Sequence, residues 1–445
     1  MPLREHLTLL RKTLPFLLSF LLSSTFKKFS SLWHRYTYRS LPNAKPILVI
    51  GGSFAGTQTV RHLCSTIPSG HKVIWIEKNS HLHYVFAFPR FSVLSGDEGK
   101  VFIPYTGIED AVPRGSLTRV QGSVVSLDAD RNVVKLDDGS EISYEYLVMA
   151  TGSSRSVPSQ LLSTTRSEGI AELQGIQNLI KSSQKIAVIG AGAVGVELAA
   201  DIKDVYPDKE VTLVHSRKAI LNRFGERLSS YVLGVLENEL GVKVLLGERP
   251  DLPVGVGKEN GPMMKDVKLV FSDGMVEEFD LVIPCTGQTP NTSLLFSSLP
   301  HTISPTGHLL VKPTLQITTS PSTSPDLNSP SPTPDLNNIF ALGDVAQTSA
   351  PLMARAAFLQ SSIISSNITS SIHGHQPKAL YKSNWFIEGA IKLTLGAKRY
   401  VIFASERDGT ESVLIEGRNG RADLDLERAW GEFGVDIRKS EEGSQ

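Results

Sequence analysis

The sequence predicts an α/β protein with two doubly wound parallel sheets, the second inserted in the first, and a small α+β domain at the carboxyl end. Two copies of one pattern predict this fold. A short apolar run, a glycine-rich turn and a helical stretch occur at 46–66 and again at 185–200. Strand-like runs at 146–152 and 280–287 lie where the chain would leave the first sheet and return to it. Continuous apolar runs of this length suit strands that are buried on both faces of a parallel sheet.

The composition of the 445 residues limits the class of protein. Hydrophobic residues make up 40% and charged residues 20%, which argues against a wholly disordered chain and a polytopic membrane protein. Basic and acidic residues number 45 each, so no nucleic-acid partner is expected. The two cysteines, Cys64 and Cys285, are too few and too far apart for a disulfide framework or a thiolate zinc site. We expect no metal site at His373 and His375, which have no acids or thiols beside them in the sequence.

The first 45 residues form a basic segment on an acidic body, because they contain eight basic residues and one acidic residue. An apolar run at 14–22 is shorter than the roughly 20 residues that span a membrane. Three interpretations stay open: a mitochondrial presequence, a retained interfacial anchor with Trp33, Tyr36 and Tyr38, and a secretory signal, which the continuing basic residues disfavour. We therefore expect 1–45 to be a targeting or membrane-anchor segment in contact with a membrane surface. The expected location is membrane-associated, with mitochondria favoured over the cytoplasm.

The first glycine-rich turn has the residue types that hold a dinucleotide pyrophosphate. It consists of Gly51, Gly52, Ser53, Phe54, Ala55 and Gly56, between an apolar run and a helical stretch. Glycines permit a tight turn, and the amino terminus of the helix directs free N–H groups at phosphate oxygens. Glu77 ends the next predicted strand, where a carboxylate accepts hydrogen bonds from a ribose. Ser53 takes the place of the second glycine of the usual pattern, so this copy is imperfect.

The second turn is complete, with Gly190, Gly192 and Gly195 in the usual spacing and Glu197 on the helix that follows. The next predicted strand, at 210–215, does not end in an acid, because His215, Ser216 and Arg217 stand there. An acid at this position binds the ribose of NAD, whereas an arginine accommodates the 2′-phosphate of NADP. Arg217 therefore favours NADPH, with NADH still open.

Three further motifs complete a recognisable order: Ala-Thr-Gly ending at Gly152, Thr-Gly ending at Gly287, and Gly-Asp ending at Asp344. With them, residues 46–400 resemble the pyridine-nucleotide-disulfide oxidoreductase superfamily. Within it, the chain looks similar to the apoptosis-inducing-factor-like branch, which includes ferroptosis-suppressor-like proteins and type II NADH dehydrogenases. The resemblance implies two Rossmann-like domains, an FAD-binding one and an NAD(P)H-binding one inserted in it. The implied division is an FAD domain at 46–154 and 286–380 with a disordered insertion at 320–338, an NAD(P)H domain at 155–285, and a C-terminal domain and tail at 381–445.

The resemblance also implies roles for single residues. The first turn would hold the FAD pyrophosphate, Glu77 the adenosine ribose, and Asp344 the ribityl chain. Val124 matches a position that packs on the adenine, and Arg90 and Lys100 match basic positions near the flavin. The second turn would hold NAD(P)H, and Glu197 matches a catalytic glutamate beside the nicotinamide and the flavin. The remaining implied cofactor-binding residues are Gly152, Gly190, Gly192, Gly195, Arg217 and Gly287.

No Cys-x₄-Cys pair follows the first turn, so the sequence argues against disulfide reduction. The expected enzyme is an FAD-dependent oxidoreductase that transfers a hydride from NAD(P)H to the flavin and electrons to a quinone-type or other small acceptor. The main alternative is a slow-turnover, redox-sensing interaction protein similar to apoptosis-inducing factor. A reductase for a small protein acceptor such as a ferredoxin also stays open. A homodimer is possible under each interpretation.

Overall fold

The computed structural model describes residues 2–252, 263–319, 336–410 and 412–440. The insertion predicted at 320–338 therefore lies outside the described residues except for its last three positions. The chain begins with one long helix, α1 (Pro2–Thr37), which continues through Pro15.

The first sheet is parallel and contains five strands in the order β18 (Ile339–Ala341), β9 (Tyr146–Met149), β1 (Lys45–Ile50), β2 (His71–Glu77) and β5 (Leu117–Gln121). Its central strand is buried along most of its length, as its apolar sequence predicts. The elements of this part are β1 (Lys45–Ile50), α2 (Phe54–Cys64), β2 (His71–Glu77), β3 (Leu82–His83), α3 (Phe88–Phe91), β4 (Phe102–Ile103), α4 (Thr106–Glu109), β5 (Leu117–Gln121), β6 (Val124–Asp128), β7 (Val133–Leu136), β8 (Glu141–Ser143) and β9 (Tyr146–Met149). Strands β6, β7 and β8 form a separate antiparallel sheet.

The second sheet also contains five strands, in the order β13-β12-β11-β15-β14, and only β14 is antiparallel to its neighbour. Its part of the chain contains β10 (Ser153–Ser154), α5 (Arg166–Ser182), β11 (Lys185–Ile189), α6 (Ala193–Val205), β12 (Glu210–His215), α7 (Glu226–Gly234), β13 (Lys243–Leu246), β14 (Met264–Val270), β15 (Val276–Pro284) and β16 (Thr289–Pro290). The short strands β10 and β16 pair with each other, so the outgoing and returning connections between the two sheets run side by side.

After the second sheet the chain returns to the first. The returning elements are β17 (Leu309–Leu310), β18 (Ile339–Ala341), β19 (Ala346–Gln347) and α8 (Ala354–Ile372). Strand β18 pairs in parallel with β9, which makes the second sheet an insertion in the first. The fold class predicted from the sequence is therefore confirmed.

The C-terminal part is a three-stranded antiparallel sheet flanked by short helices. It contains α9 (Trp385–Glu388), β20 (Ile391–Thr394), β21 (Tyr400–Ala404), β22 (Val413–Gly417) and α10 (Leu426–Glu432). Leu393 and Phe403 of this sheet share one buried apolar cluster with Val196 of α6. This packing fixes the C-terminal sheet against the second sheet and makes it a wall of the space between the two parallel sheets.

Candidate active site

One cleft of about 2090 Å³ lies between the two sheets and the C-terminal part. Both glycine-rich turns open onto it, as the carboxyl ends of parallel strands do in doubly wound folds. The sequence-predicted residues that line it are Gly51, Gly52, Ser53, Phe54, Ala55, Glu77, Gly152, Gly190, Gly192, Glu197, Arg217, Gly287 and Asp344.

The first turn has the backbone geometry of a phosphate cradle. Gly51 has a φ of 109°, and a Cβ atom there would lie 2.3 Å from the carbonyl oxygen of Ala150. A Cβ atom on Gly56 would lie 1.8 Å from the carbonyl oxygen of Gly51, so Gly56 serves the close approach of helix to turn although it does not line the cleft. Ser53 has a φ of −83°, which any residue adopts. The imperfect fingerprint is therefore compatible with the same backbone path.

Glu77 is held in place at the end of β2. One carboxylate oxygen accepts a hydrogen bond from the Gly52 N–H, and the other accepts one from the Asn79 N–H at 2.8 Å. Burial raises the pKa of Glu77, and these two N–H donors oppose the increase. The hydroxyl of Tyr105 donates to the Gly52 carbonyl oxygen at 3.0 Å and braces the same turn. A carboxylate fixed at the cleft surface fits the hydroxyls of an adenosine ribose.

The second turn repeats this geometry. Gly190 has a φ of 113°, and a Cβ atom on Gly195 would lie 1.9 Å from the Gly190 carbonyl oxygen. Gly192 begins the helix at the cleft, and a Cβ atom there would meet nothing within 4 Å. Neither α2 nor α6 has a hydrogen bond from the side chain of its N-cap residue to its first turn. The first N–H groups of both helices are thus available to phosphate oxygens.

His215 takes the position in the second cradle that Glu77 has in the first. Its Nδ1 atom accepts the N–H of Ala191 at 3.2 Å, just as the Glu77 carboxylate accepts the N–H of Gly52. The Nε2–H therefore donates to Oδ1 of Asn222 at 3.0 Å, and the ring in this arrangement is neutral. Arg217 donates to the same Asn222 oxygen at 3.4 Å. Where the second cradle would bind a ribose, the end of β12 is thus followed by the cation of Arg217 and has no carboxylate.

Asp344 lies where both crossing strands meet the return to the first sheet. Its Oδ2 atom accepts hydrogen bonds from Arg155 at 2.9 Å, Gln288 at 2.7 Å and Ser153 at 3.1 Å. Sequence reasoning missed Arg155 and Gln288, although Gln288 directly follows the Thr-Gly motif. Helix α8 begins after Met353, which also lines the cleft. This corner combines a fixed carboxylate with a helix amino terminus and fits the ribityl chain and ring of a flavin.

Glu197 lies on α6 at the junction with the C-terminal sheet. Its Oε1 atom accepts the backbone N–H of Thr394 at 2.9 Å and the hydroxyl of the same residue at 3.0 Å. Burial raises the pKa of Glu197 to about 7, and Asp201 one turn further along the helix adds to the increase. The Thr394 hydrogen bonds and the cation of Arg90 act in the opposite direction. The result is a carboxyl group at the cleft that can hold or release a proton near neutral pH.

Five of the predicted residues lie outside the cleft lining: Gly56 and Gly195, which serve the close approach of helix to turn, and Arg90, Lys100 and Val124. Arg90 is 2% exposed, and its Nε atom donates to Asp201 at 2.7 Å while Nη2 donates to the Gly396 carbonyl oxygen at 2.9 Å. Its charge is therefore engaged by a buried carboxylate behind Glu197 rather than directed into the cleft. Lys100 forms an ion pair with Asp97 at 2.7 Å, and Val124 begins the separate sheet of β6.

The two cysteines do not form a redox pair. Cys64 is buried within α2 beside the first sheet, whereas Cys285 follows β15 of the second. Burial raises the pKa of each thiol to about 12, so both are protonated at neutral pH. They are the only cysteines of the chain. No thiol relay therefore connects the cleft to an acceptor.

An aromatic cluster that sequence reasoning missed borders the first turn. The ring of Phe54 lies 4.8 Å from Phe86, 5.8 Å from Tyr84 and 6.1 Å from Phe433, measured between centroids. All four side chains line the cleft, and Phe86 is 50% exposed. They come from distant parts of the chain, so only Phe54, inside the glycine-rich turn, could have been noticed in the sequence.

Two dinucleotide cradles that open onto one cleft define a flavoprotein oxidoreductase that uses a pyridine nucleotide. The chain belongs to the pyridine nucleotide-disulphide oxidoreductase family, whose sequence pattern matches residues 45–361. The resemblance stated from the motifs is confirmed, and so are the cofactors, FAD and NADH or NADPH.

Similar proteins come from fungi and vertebrates. Fe-regulated protein 8 of Mycosarcoma maydis is 31% identical over 411 residues, which is 88% of this chain and 95% of that protein. Ferroptosis suppressor protein 1 of Taeniopygia guttata is 32% identical over 338 residues, or 75% of this chain and 82% of that protein. The human ferroptosis suppressor protein 1 is 30% identical over 346 residues, or 76% and 83% of the two chains.

A similar solved structure is the water-forming NADH oxidase from Lactobacillus brevis bound to NADH. It has a TM-score of 0.61 at 19% identity and covers 81% of this chain and 75% of that one. At this identity the likeness concerns the fold.

Proposed function

We propose that this protein is an FAD-dependent NAD(P)H:quinone oxidoreductase that prefers NADPH. The observation that carries the proposal is the single cleft shared by the two glycine-rich cradles, with no thiol pair beside it. When bound, FAD supplies the chemistry: it accepts a hydride from the nicotinamide and passes electrons to the acceptor. The protein's own residues bind, orient and adjust protonation around these partners.

We assign FAD to the first cradle. Gly51 and Gly52 with the amino terminus of α2 would hold its pyrophosphate, Glu77 its adenosine ribose, and Asp344 its ribityl chain. Asp344 has one oxygen bonded by three donors, which fixes the carboxylate in one orientation while the other oxygen remains for a hydroxyl.

We assign the nicotinamide nucleotide to the second cradle, with NADPH preferred. The preference rests on the neutral His215 at the position of the usual acid and on Arg217 beside it. A carboxylate at this point would repel a 2′-phosphate, whereas a cation attracts it. Glu197 lies at the other end of this cradle, where we propose that its titratable carboxyl group exchanges a proton during turnover.

A quinone is the acceptor that fits the remaining surface. The cluster of Phe54, Tyr84, Phe86 and Phe433 offers planar apolar faces at the cleft, and aromatic rings stack on such faces. The protonated cysteines leave the flavin as the only electron carrier. Long-chain quinones dissolve in membranes, so this acceptor agrees with a membrane-associated location through residues 1–45. A mitochondrial membrane remains the location that the basic segment favours.

The test is steady-state oxidation of NADPH and of NADH by the full-length, FAD-loaded protein, with oxygen alone or with soluble quinones of graded ring size. We expect sustained turnover well above the oxygen rate and a lower KM for NADPH than for NADH. Quinone rates equal to the oxygen background would refute the acceptor. A single reduction without turnover would instead support the redox-sensing alternative.

A further inference from the structure

Helix α1 is attached to the folded body near its amino terminus. Glu5 forms an ion pair with Arg227 at 2.6 Å and accepts the N–H of Leu414 at 3.1 Å. Lys12 forms an ion pair with Glu406 at 2.7 Å, and Leu9 packs on the buried cluster of Phe386, Ala404 and Val413. These contacts join α1 to the second sheet domain and to the C-terminal sheet.

The carboxyl end of α1 is attached as well. His34 bonds to the carbonyl oxygen of Ile67 at 2.7 Å, and the buried Tyr38 donates its hydroxyl to the carbonyl oxygen of His71 at 2.8 Å. The helix has 36 residues and is therefore about 54 Å long. Because α1 is attached to the folded body near both of its ends, one side of the helix faces the body and the other faces outward.

The outer face is a stripe of leucines. Apart from the adjacent Leu17 and Leu18, its positions follow one another at intervals of three or four residues, which places them along one side of a helix. Each of these side chains exposes between 43 and 72% of its surface: Leu3, Leu7, Leu10, Leu14, Leu17, Leu18 and Leu21. A contiguous apolar patch of this size marks an interaction surface on a folded protein. We call it the leucine stripe.

The charges beside the leucine stripe identify what covers it. Arg4 and Arg11 are exposed next to it, and Glu5, the one acid among the first 45 residues, faces Arg227 on the body. A second copy of α1 would bring arginines against arginines, whereas paired helices use opposite charges beside their apolar seam. An anionic lipid surface attracts these arginines and accepts the leucines. No helix in the described part of the chain is long and apolar enough to cross a membrane.

Helix α1 lies close to the C-terminal wall of the cleft. The ammonium group of Lys12 is 5.8 Å from the ring centroid of Phe386, and the residues on either side, Trp385 and Gly389 to Ile391, line the cleft. A bilayer that covers the leucine stripe would therefore lie on the opposite side of α1 from this wall, one helix diameter away. We propose that α1 is a retained part of the fold that binds in the plane of anionic membranes through the leucine stripe, with Arg4 and Arg11 at the lipid headgroups. Membrane binding by α1 does not depend on the proposed function; only its biological purpose, the supply of quinone to the cleft, rests on that function.

The experiment measures co-sedimentation of the full-length, FAD-loaded protein with vesicles of phosphatidylcholine alone or mixed with phosphatidylglycerol. We expect binding that requires the anionic lipid and weakens with salt. The variant Leu7→Gln/Leu10→Gln/Leu14→Gln should bind at least tenfold more weakly, since each buried leucine contributes roughly a tenfold effect. Arg4→Gln/Arg11→Gln should lose about fivefold per arginine on the anionic vesicles.

The matched control is Leu162→Gln/Leu380→Gln, which changes leucines of similar exposure elsewhere on the surface. It should bind vesicles like the unchanged protein. Equal binding by the stripe variant would overturn the proposal, and so would a dimer in sedimentation equilibrium that the stripe variant abolishes without any vesicle binding. NADPH oxidation with a soluble quinone, measured without vesicles, should be unchanged in every variant. Loss of vesicle binding and failure of the proposed enzymatic function are therefore distinguishable.

Discussion

Replacement of Glu197 by glutamine should stabilise the protein at alkaline pH more than at acidic pH. Burial raises the pKa of Glu197 from 4.5 to about 7, so between these values the folded protein binds more protons at this site than the unfolded chain. Stability then falls as pH rises through this window, and the loss is complete above pH 7. Glutamine keeps the oxygen that accepts both Thr394 hydrogen bonds but carries no charge to desolvate.

The magnitude follows from the width of the window. Linkage with pKa values of 4.5 and about 7 gives a penalty of about 0.8 kcal/mol at pH 5 and about 3.3 kcal/mol at pH 8. The difference is about 2.5 kcal/mol, and we reduce it to roughly 1 to 2.5 kcal/mol because Glu197 is only partly buried at the cleft. For a chain of this size that corresponds to about 1 to 3 °C in Tm.

The assay compares thermal melts of FAD-loaded Glu197→Gln and unchanged protein near pH 5 and near pH 8. The control is Glu237→Gln, which changes an exposed carboxylate of the same domain. Its difference in Tm from the unchanged protein should be the same at both pH values. A Glu197→Gln variant whose advantage does not grow from the lower pH to the higher one would refute the assignment of a raised pKa to this side chain. The same variant should lose activity if its proton is used in turnover.

Three other changes test the cofactor sites and the electron path. Arg217→Ala should raise the KM for NADPH about tenfold or more through loss of a charge-assisted contact, with NADH little affected; equal effects on both nucleotides in steady-state kinetics would contradict the 2′-phosphate assignment. Gly52→Ala should purify with little FAD, because its Cβ atom would lie 2.6 Å from Glu77 Cγ, whereas Gly175→Ala, where a Cβ atom meets nothing within 4 Å, should retain flavin absorbance. Cys64→Ala/Cys285→Ala should keep at least half of the quinone reductase rate, and a rate at background would restore a thiol to the electron path.

Local signals in the sequence were sufficient for the fold and for both cradles. The turns at Gly51 and Gly190 need positive φ angles and close helix approach, which leave a glycine pattern that can be read directly. Ser53 in place of a glycine does not disturb the pattern, because that position has a φ angle that any residue adopts. Glu77 and His215 occupy matching places because both end the second strand of a βαβ unit. Each of these features depends on residues within about thirty positions of one another.

The residues that sequence reasoning missed or placed elsewhere depend on contacts between distant segments. Thr394 reaches Glu197 only because the C-terminal sheet packs on α6, and Arg155 reaches Asp344 because the two crossing strands pair. The aromatic cluster around Phe54 likewise gathers side chains from the first domain and from the C-terminal helix. Periodicity and motif spacing contain no information on such pairs.

Arg90 shows why a resemblance locates a residue better than it assigns its task. The side chain is close to the active site, yet its guanidinium group donates its hydrogen bonds to Asp201 and to the Gly396 carbonyl oxygen and not into the cleft. Removal of either charge from this buried pair would leave the other uncompensated, an effect of about 3–5 kcal/mol. The pair joins α3 of the first domain to α6 and to the C-terminal part, and it lies one helical turn from Glu197. Arg90 therefore influences the cleft without lining it. Its hydrogen bonds hold α3, α6 and the C-terminal part together, and its positive charge offsets part of the increase in the pKa of Glu197.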